Sequence, residues 1–255
     1  MDLAQYEKLD PKVALKASDG RQVIFKTPNR LSLARVQTLY TKEPHTIAWL
    51  NGLAEGAVFL DVGANIGLYS LYAATARGCR VYAFEPESQN FALLNQNIQA
   101  NGMDGHVTAF PCALSDRVGL DRLYLSRFET GGSCHSFGAE VDFNLKARPS
   151  PYVQGCASWT LDAAVAAGAV PVPRYIKIDV DGFEHKVIAG ARATLAEPGV
   201  EALLIEVNPH LQEHRDMAEQ LAALGFHYDP GQARAASRTE GPFAGVGEWL
   251  FKRNP

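Results

Sequence analysis

The chain has 255 residues, 47% apolar and 20% charged, enough to bury one sizeable core and too apolar to stay disordered. The net charge is −4, and lysines and arginines are spread along the chain, so no electrostatic footprint for a nucleic-acid backbone appears. The N-terminus lacks a basic region followed by an apolar run, and no stretch of about 18 apolar residues occurs, so no secretory signal and no membrane span are expected and the protein is read as cytoplasmic.

Residues 1–50 carry short alternating runs at 13–15 and 23–25 and a helix after Pro44, and read as an N-terminal extension packed on the main domain, a surface open to a homo-oligomer. From residue 57 onward apolar runs alternate with amphipathic stretches. Strands are predicted at 57–62, 80–84, 106–110, 175–180 and 201–207, with a last one at 246–252. Between them, Phe91, Leu94 and Ile98 recur at helical spacing, as do Val187, Ile188, Ala191 and Leu195, interrupted by Gly190, and then Met217, Leu221 and Leu224. This rhythm predicts an α/β fold over 51–255, a mostly parallel sheet with helices on both faces. Residues 126–159 break it: glycines, prolines and polar residues without periodicity read as an irregular insertion, either a functional lid or a solvated loop. Cys79, Cys112, Cys134 and Cys156 form no C-x-x-C pair and are expected as reduced, mostly buried thiols without zinc.

Chemistry concentrates first at Asp61-Val62-Gly63-Ala64-Asn65-Ile66-Gly67, which follows an apolar strand and opens a helix, where glycines let a backbone turn tightly against a ligand. A dinucleotide fold uses G-x-G-x-x-G; here the spacing is G-x-x-x-G with Asn65 in the middle. Asp61 places a carboxylate where it repels pyrophosphate and attracts an ammonium group, which S-adenosylmethionine carries. Glu85, ending the second strand, suits two ribose hydroxyls, a spacing that NAD also fits. The turn after the third strand, Cys112 to Leu114, offers backbone groups to an adenine, while Asp116 serves equally well as a turn cap.

At this point the chain resembles the FkbM family of class I, Rossmann-like methyltransferases. The resemblance runs over about 58–208 and rests on Phe-Leu-Asp-Val-Gly-Ala-Asn-Ile-Gly, Val-Tyr-Ala-Phe-Glu-Pro (81–86), Ala-Leu-Ser-Asp (113–116), Thr-Leu-Asp (160–162) and Ile-Lys-Ile-Asp-Val-Asp-Gly-Phe-Glu (176–184). It implies a seven-stranded sheet, S-adenosylmethionine as cofactor, and O-methylation of a hydroxyl on a sugar, glycan or secondary metabolite. The cofactor-binding set is then Asp61, Gly63, Ala64, Asn65, Gly67, Glu85, Pro86 and Ala113, with Asp179 at its edge. One departure stands out: Asp181 occupies a position where the family usually has Glu, which shortens that carboxylate's reach.

Methyl transfer to a hydroxyl gains from a positioned base. Asp179 ends the fourth strand and is the first choice, with helix capping as its alternative duty; Glu206, near the end of the fifth strand, and His135, in the insertion, are the other candidates. Asp181 and Glu184 read as helix-start residues, and His185 and His210 as structural. Asp179, Asp181, Glu206 and His210 offer metal ligands, but no spacing demands an ion and none is expected. Two rival functions remain, an NAD-dependent oxidoreductase and a non-catalytic cofactor-binding interaction module.

Overall fold

The computed structural model describes residues 1–253; the last two residues of the 51–255 stretch lie outside the described residues. The N-terminal extension consists of α1 (Leu3–Tyr6), β1 (Lys12–Lys16), β2 (Gln22–Lys26), α2 (Arg30–Gln37), α3 (Leu39–Lys42) and α4 (Pro44–Asn51). The first parallel units follow as β3 (Val58–Val62), α5 (Leu68–Arg77), β4 (Arg80–Phe84), α6 (Ser88–Ala100) and β5 (Val107–Phe110). Next come β6 (Ala113–Leu114), β7 (Gly119–Leu125), β8 (Ser136–Phe137), β9 (Tyr152–Trp159) and α7 (Leu161–Ala166). The chain closes with β10 (Tyr175–Ile178), α8 (Glu184–Ala189), α9 (Arg192–Ala196), β11 (Ala202–Val207), α10 (Gln212–Ala223), β12 (Phe226–Tyr228), α11 (Pro230–Ala236) and β13 (Gly247–Arg253).

Seven strands form the main sheet in the order β12-β13-β11-β10-β3-β4-β5. Its ladders are parallel except around β13, which runs antiparallel to both β11 and β12. This is the mostly parallel Rossmann-like sheet expected of a class I methyltransferase. Because side chains alternate along a strand, Phe59, Val81, Ala83 and Tyr175 enter one core cluster while Leu60, Val62, Ile176 and Ile178 enter the other. Helices α5 and α6 cover the first face through Leu71, Leu94 and Ile98, and α8 to α10 cover the second through Val187, Leu195, Met217 and Leu221.

The extension belongs to the first core, into which Phe25, Val36, Leu39 and Leu50 are buried. Its β2 backbone is satisfied by Asn97 of α6 and by Asn101 at that helix's C-cap: Ile24 N–H donates to Asn101 Oδ1 and Lys26 N–H to Asn97 Oδ1, each at 2.8 Å. An otherwise open strand edge is thereby closed against the main domain.

Two expectations change. Residues 126–159 are not irregular throughout: β9 lies within them, antiparallel to β7, in a second sheet ordered β6-β9-β7-β8. Alternation along β9 places Cys156 and Ser158 inward, a pattern that the neighbouring Pro149, Pro151 and Gly155 obscure in the sequence. The helix expected over 187–195 is two, broken between α8 and α9 at Gly190, where a Cβ would lie 2.1 Å from the Ser115 carbonyl oxygen. Only glycine admits that approach of helix to chain.

Candidate active site

The chain order reverses across β3, flanked by β10 and β4, and in open α/β sheets such a switch point opens a crevice at the strands' carboxyl ends. A cavity of about 500 Å³ sits there. It runs from Glu85 and Pro86 after β4, past Gly63 and Asn65 after β3, to Asp179, Asp181 and Glu206 after β10 and β11. One end is walled by Cys112, Ala113, Leu114 and Phe137. The opposite wall comes from Ala34, Arg35, Thr38 and Lys42 of the extension, from Gly132 to His135 of the insertion, and from Arg238 and Phe243.

Register explains the turn after β3. Gly63 takes φ +78°, and a Cβ there would meet the Asp179 carbonyl oxygen at 1.9 Å, so only glycine lets β3 and β10 leave the sheet side by side. Every backbone N–H from residue 63 to 67 is already bonded within the protein. Those of Gly63 and Ala64 both donate to the Phe84 carbonyl, and that of Gly67 donates to Ala64. Asn65 N–H donates to Glu85 Oε2 at 2.7 Å, and Ile66 N–H to the Asn65 side chain at 3.0 Å. Residues 63–67 thus keep none of their own N–H groups free for a pyrophosphate.

Glu85 is buried, and its other oxygen accepts from Glu87 N–H at 2.9 Å. Burial lifts its carboxyl to about 7. Each oxygen keeps one lone-pair site for a ligand hydroxyl. Asn65 Nδ2 donates to the Gly132 carbonyl at 2.6 Å, joined there by Asn90 Nδ2 at 3.1 Å, so the insertion is tied directly to the turn.

Three carboxylates form the floor: Asp179, Asp181 and Glu206 carry oxygens within 4.8 Å of one another. Their environments differ. Burial works against ionised Asp179, but Lys177, with help from Lys42 and Arg238, outweighs it and holds the carboxyl below its ordinary value. Burial and the neighbouring Asp179 charge push Asp181 up to about 6. Burial, then Asp179 and Asp181, raise Glu206 well above the usual range although Arg238 Nη1 donates to it at 3.0 Å. The Asp179 side chain keeps 29% of its surface exposed.

Of the residues expected from the sequence, Gly63, Asn65, Glu85, Pro86, Ala113, Asp179, His135 and Glu206 all border this cavity. Ala64 borders a smaller neighbouring one. Gly67 caps α5 and borders neither. Asp61 is placed differently from the expectation: it is fully buried behind the turn, where Oδ2 accepts from Ser70 Oγ at 2.6 Å and Oδ1 lies 3.8 Å from Lys177 Nζ. The register pairs Asp61 with Lys177, so the two side chains point to the same face of the sheet, and Lys177, which borders the smaller cavity, stands beside the Asp61 carboxylate. Asp181 also departs from its expected helix-start role; it borders the cavity and accepts from Cys134 N–H at 2.6 Å. Glu184 instead fixes that turn, its two oxygens accepting from Val180 and Gly182 N–H. His210 is not among the clustered acids. Arg35, Thr38, Lys42 and Arg238 were not foreseen, for they lie outside every motif.

His135 has a defined tautomer. Ser126 N–H donates to Nδ1 at 3.3 Å, so Nε2 carries the hydrogen, and Nε2 is buried without a partner. Burial, followed by Arg35, Arg148 and Arg127, lowers this imidazole to about 4, so it is neutral at pH 7.

The donor set suits a nucleoside that carries hydroxyls and an ammonium but no phosphate: a buried carboxyl at one end, a phosphate-excluding turn in the middle and an acidic floor beyond. No helix among the described residues is long and apolar enough to cross a membrane.

The profile of a protein family described as "Methyltransferase FkbM domain" matches residues 61–228. Over 154 residues the chain is 29% identical to the hexuronic acid methyltransferase AglP of Haloferax volcanii, a match covering 60% of this chain and 57% of AglP. Over 159 residues it is 32% identical to the 31-O-demethyl-FK506 methyltransferase FkbM of Streptomyces tacrolimicus, covering 54% of this chain and 60% of that protein. The chain thus spans less than two thirds of the length of either relative. A solved structure of precorrin-6y C5,15-methyltransferase from Geobacter metallireducens aligns with a TM-score of 0.48 and 13% identity, over 91% of this chain and 94% of that one.

Proposed function

The chain belongs to the FkbM-domain methyltransferases, and from that premise we propose that it transfers the methyl group of S-adenosylmethionine to a hydroxyl of a sugar, glycan or secondary metabolite. The observation that carries this reading is the pairing of a turn with no free N–H for phosphate with a cavity that runs from Glu85 to an ionised Asp179. The same closed turn argues against the NAD-dependent alternative. Hydroxyl-bearing acceptors also agree with the names of the two relatives, which act on a hexuronic acid and on a demethylated O-31 position.

Bound S-adenosylmethionine supplies an electrophilic methyl on a sulfonium. The chain's own residues supply position and a proton acceptor. Glu85 receives the ribose hydroxyls, and Gly63 holds the turn against the Asp179 backbone. Asp179 takes the acceptor's proton, since it is the floor carboxylate that stays ionised and open to the cavity. Glu206 is tied to Arg238 and favours its protonated form, so it orients rather than accepts. His135 presents a hydrogen at Nε2, and its Nδ1 lone pair is already engaged by Ser126, which fits a donor better than a base.

Calorimetric titration with S-adenosylhomocysteine and with NAD tests the cofactor, and NAD binding alone would sink the reading. Transfer of labelled methyl groups into a panel of sugars, nucleotide-sugars and metabolites tests the acceptor; label confined to nitrogen or carbon overturns O-methylation. Glu85→Gln keeps shape but loses acceptor capacity, and S-adenosylhomocysteine affinity is expected to fall about 10- to 100-fold. Because the Glu85 carboxyl sits at about 7 and hydroxyl donors favour its ionised form, wild-type affinity rises as pH increases through that value, a trend absent from the Gln variant.

A further inference from the structure

We infer that Arg35, on helix α2 of the N-terminal extension, is the cation that receives the methionine carboxylate of S-adenosylmethionine; the inference rests on the cofactor reading above. The methionine end of that molecule carries a carboxylate beside its ammonium, and a carboxylate needs a cation, which the acidic floor does not offer. A small cavity of about 40 Å³ opens against the turn, bordered by Gly63, Ala64 and Asn65 on one side and by Arg35, Thr38 and Lys42 on the other. It shares Arg35, Thr38, Lys42, Gly63, Asn65 and Asp179 with the main cavity.

Five cations border the two cavities, and four are otherwise engaged or misplaced; Lys177, on the small one, is held by Asp179 at 3.4 Å and Asp61 at 3.8 Å. Arg238 is held by Glu206 at 3.0 Å and Glu248 at 3.4 Å. Lys42 pairs with the buried Glu43 at 2.7 Å. Arg127 does not border the small cavity beside the turn. Arg35 borders both cavities, and among the described residues it forms no salt bridge.

Its guanidinium is nevertheless oriented. Nε donates to the Gly131 carbonyl at 2.5 Å, and Gly131 N–H is itself fixed by Asn90 Oδ1 at 2.7 Å. Among the described residues the two terminal nitrogens have no acceptor. A half-buried, pre-oriented guanidinium fork facing the turn matches a carboxylate in shape and charge. The extension then completes the cofactor site rather than merely covering the core.

The test compares S-adenosylmethionine with its decarboxylated form by calorimetry, without acceptor, in wild type, Arg35→Met and Arg35→Lys. Arg35→Met is expected to weaken S-adenosylmethionine about 10- to 100-fold and to leave the decarboxylated form within about two-fold of wild type. Arg35→Lys recovers part of the loss. Equal losses for both ligands would mean that Arg35 only braces the Gly131 wall, and no loss for either would also overturn the inference. Failure of wild type to bind S-adenosylmethionine would instead remove the cofactor reading itself. Thermal unfolding of each variant confirms that the folded chain is being compared.

Discussion

Asp179→Asn lowers kcat by about 10²- to 10⁴-fold while S-adenosylhomocysteine still binds, the loss expected when a positioned base is removed without a change of shape. The side chain borders both cavities, is partly exposed to them and sits 3.4 Å from Lys177 Nζ. Unchanged methylation by this variant would exclude Asp179 as the base. Its pH behaviour gives a second check. Lys177, Lys42 and Arg238 overcome burial and hold the carboxyl below its ordinary value, so the base form is present throughout the neutral range. At saturating cofactor kcat should stay flat from about pH 6 to 8 and fall only on acidification below the usual carboxyl range of about 4. His135→Gln should retain much of the turnover, because its imidazole presents a hydrogen where a base needs a lone pair.

Lys177→Met should cost about 3–5 kcal/mol of stability at pH 7, the loss typical when one partner of a buried ion pair is removed. The lysine is 2% exposed, between Asp61 at 3.8 Å and Asp179 at 3.4 Å, with the Tyr69 ring 5.1 Å below its ammonium. Burial opposes its charge, but Asp179 and Asp61 reverse that and raise its pKa. A raised folded-state pKa means that the lysine's contribution is complete below the unfolded value near 10.4 and is lost only as pH climbs through the higher folded one. Neutral solution therefore shows the full effect, a fall in melting temperature of roughly 10 °C. Without the lysine, Asp61 Oδ1 stays buried with no hydrogen-bond partner, so adding Asp61→Asn should restore part of the loss. Equal melting temperatures for wild type and the single variant would show that the pair is dispensable.

The sheet was legible because its strands are apolar runs buried on both faces and its turns carry glycine where backbones meet. Glu85 and Gly63 were legible because each sits at the end of an apolar strand, although the groups that fix them, Asn65 and the Asp179 carbonyl, lie far along the chain. Asp61 misled because its partner, Lys177, is a cross-strand neighbour, and nothing in the turn itself announces a cation behind it. Asp181 looked like a helix-start residue, yet Glu184 fixes the turn and frees Asp181 to hold Cys134. Arg35 had no local signal at all: an arginine in a short amphipathic helix is ordinary until the Gly131 loop folds over it. The β9 strand was hidden by Pro149 and Pro151 just before it and by Gly155 in its middle, none of which prevents pairing to β7.

The closed hydrogen bonding of the Gly63–Gly67 turn has a consequence for engineering. Moving this scaffold to a dinucleotide would seem to require only a glycine at position 65. Asn65→Gly, however, frees a single N–H, that of Ile66, and at the same stroke cuts the tether from Asn65 Nδ2 to Gly132. The residue that bars one cofactor is thus also a hinge pin of the wall that encloses the other. Cofactor preference and the shape of the acceptor chamber are inherited together, and a redesign of either must rebuild both.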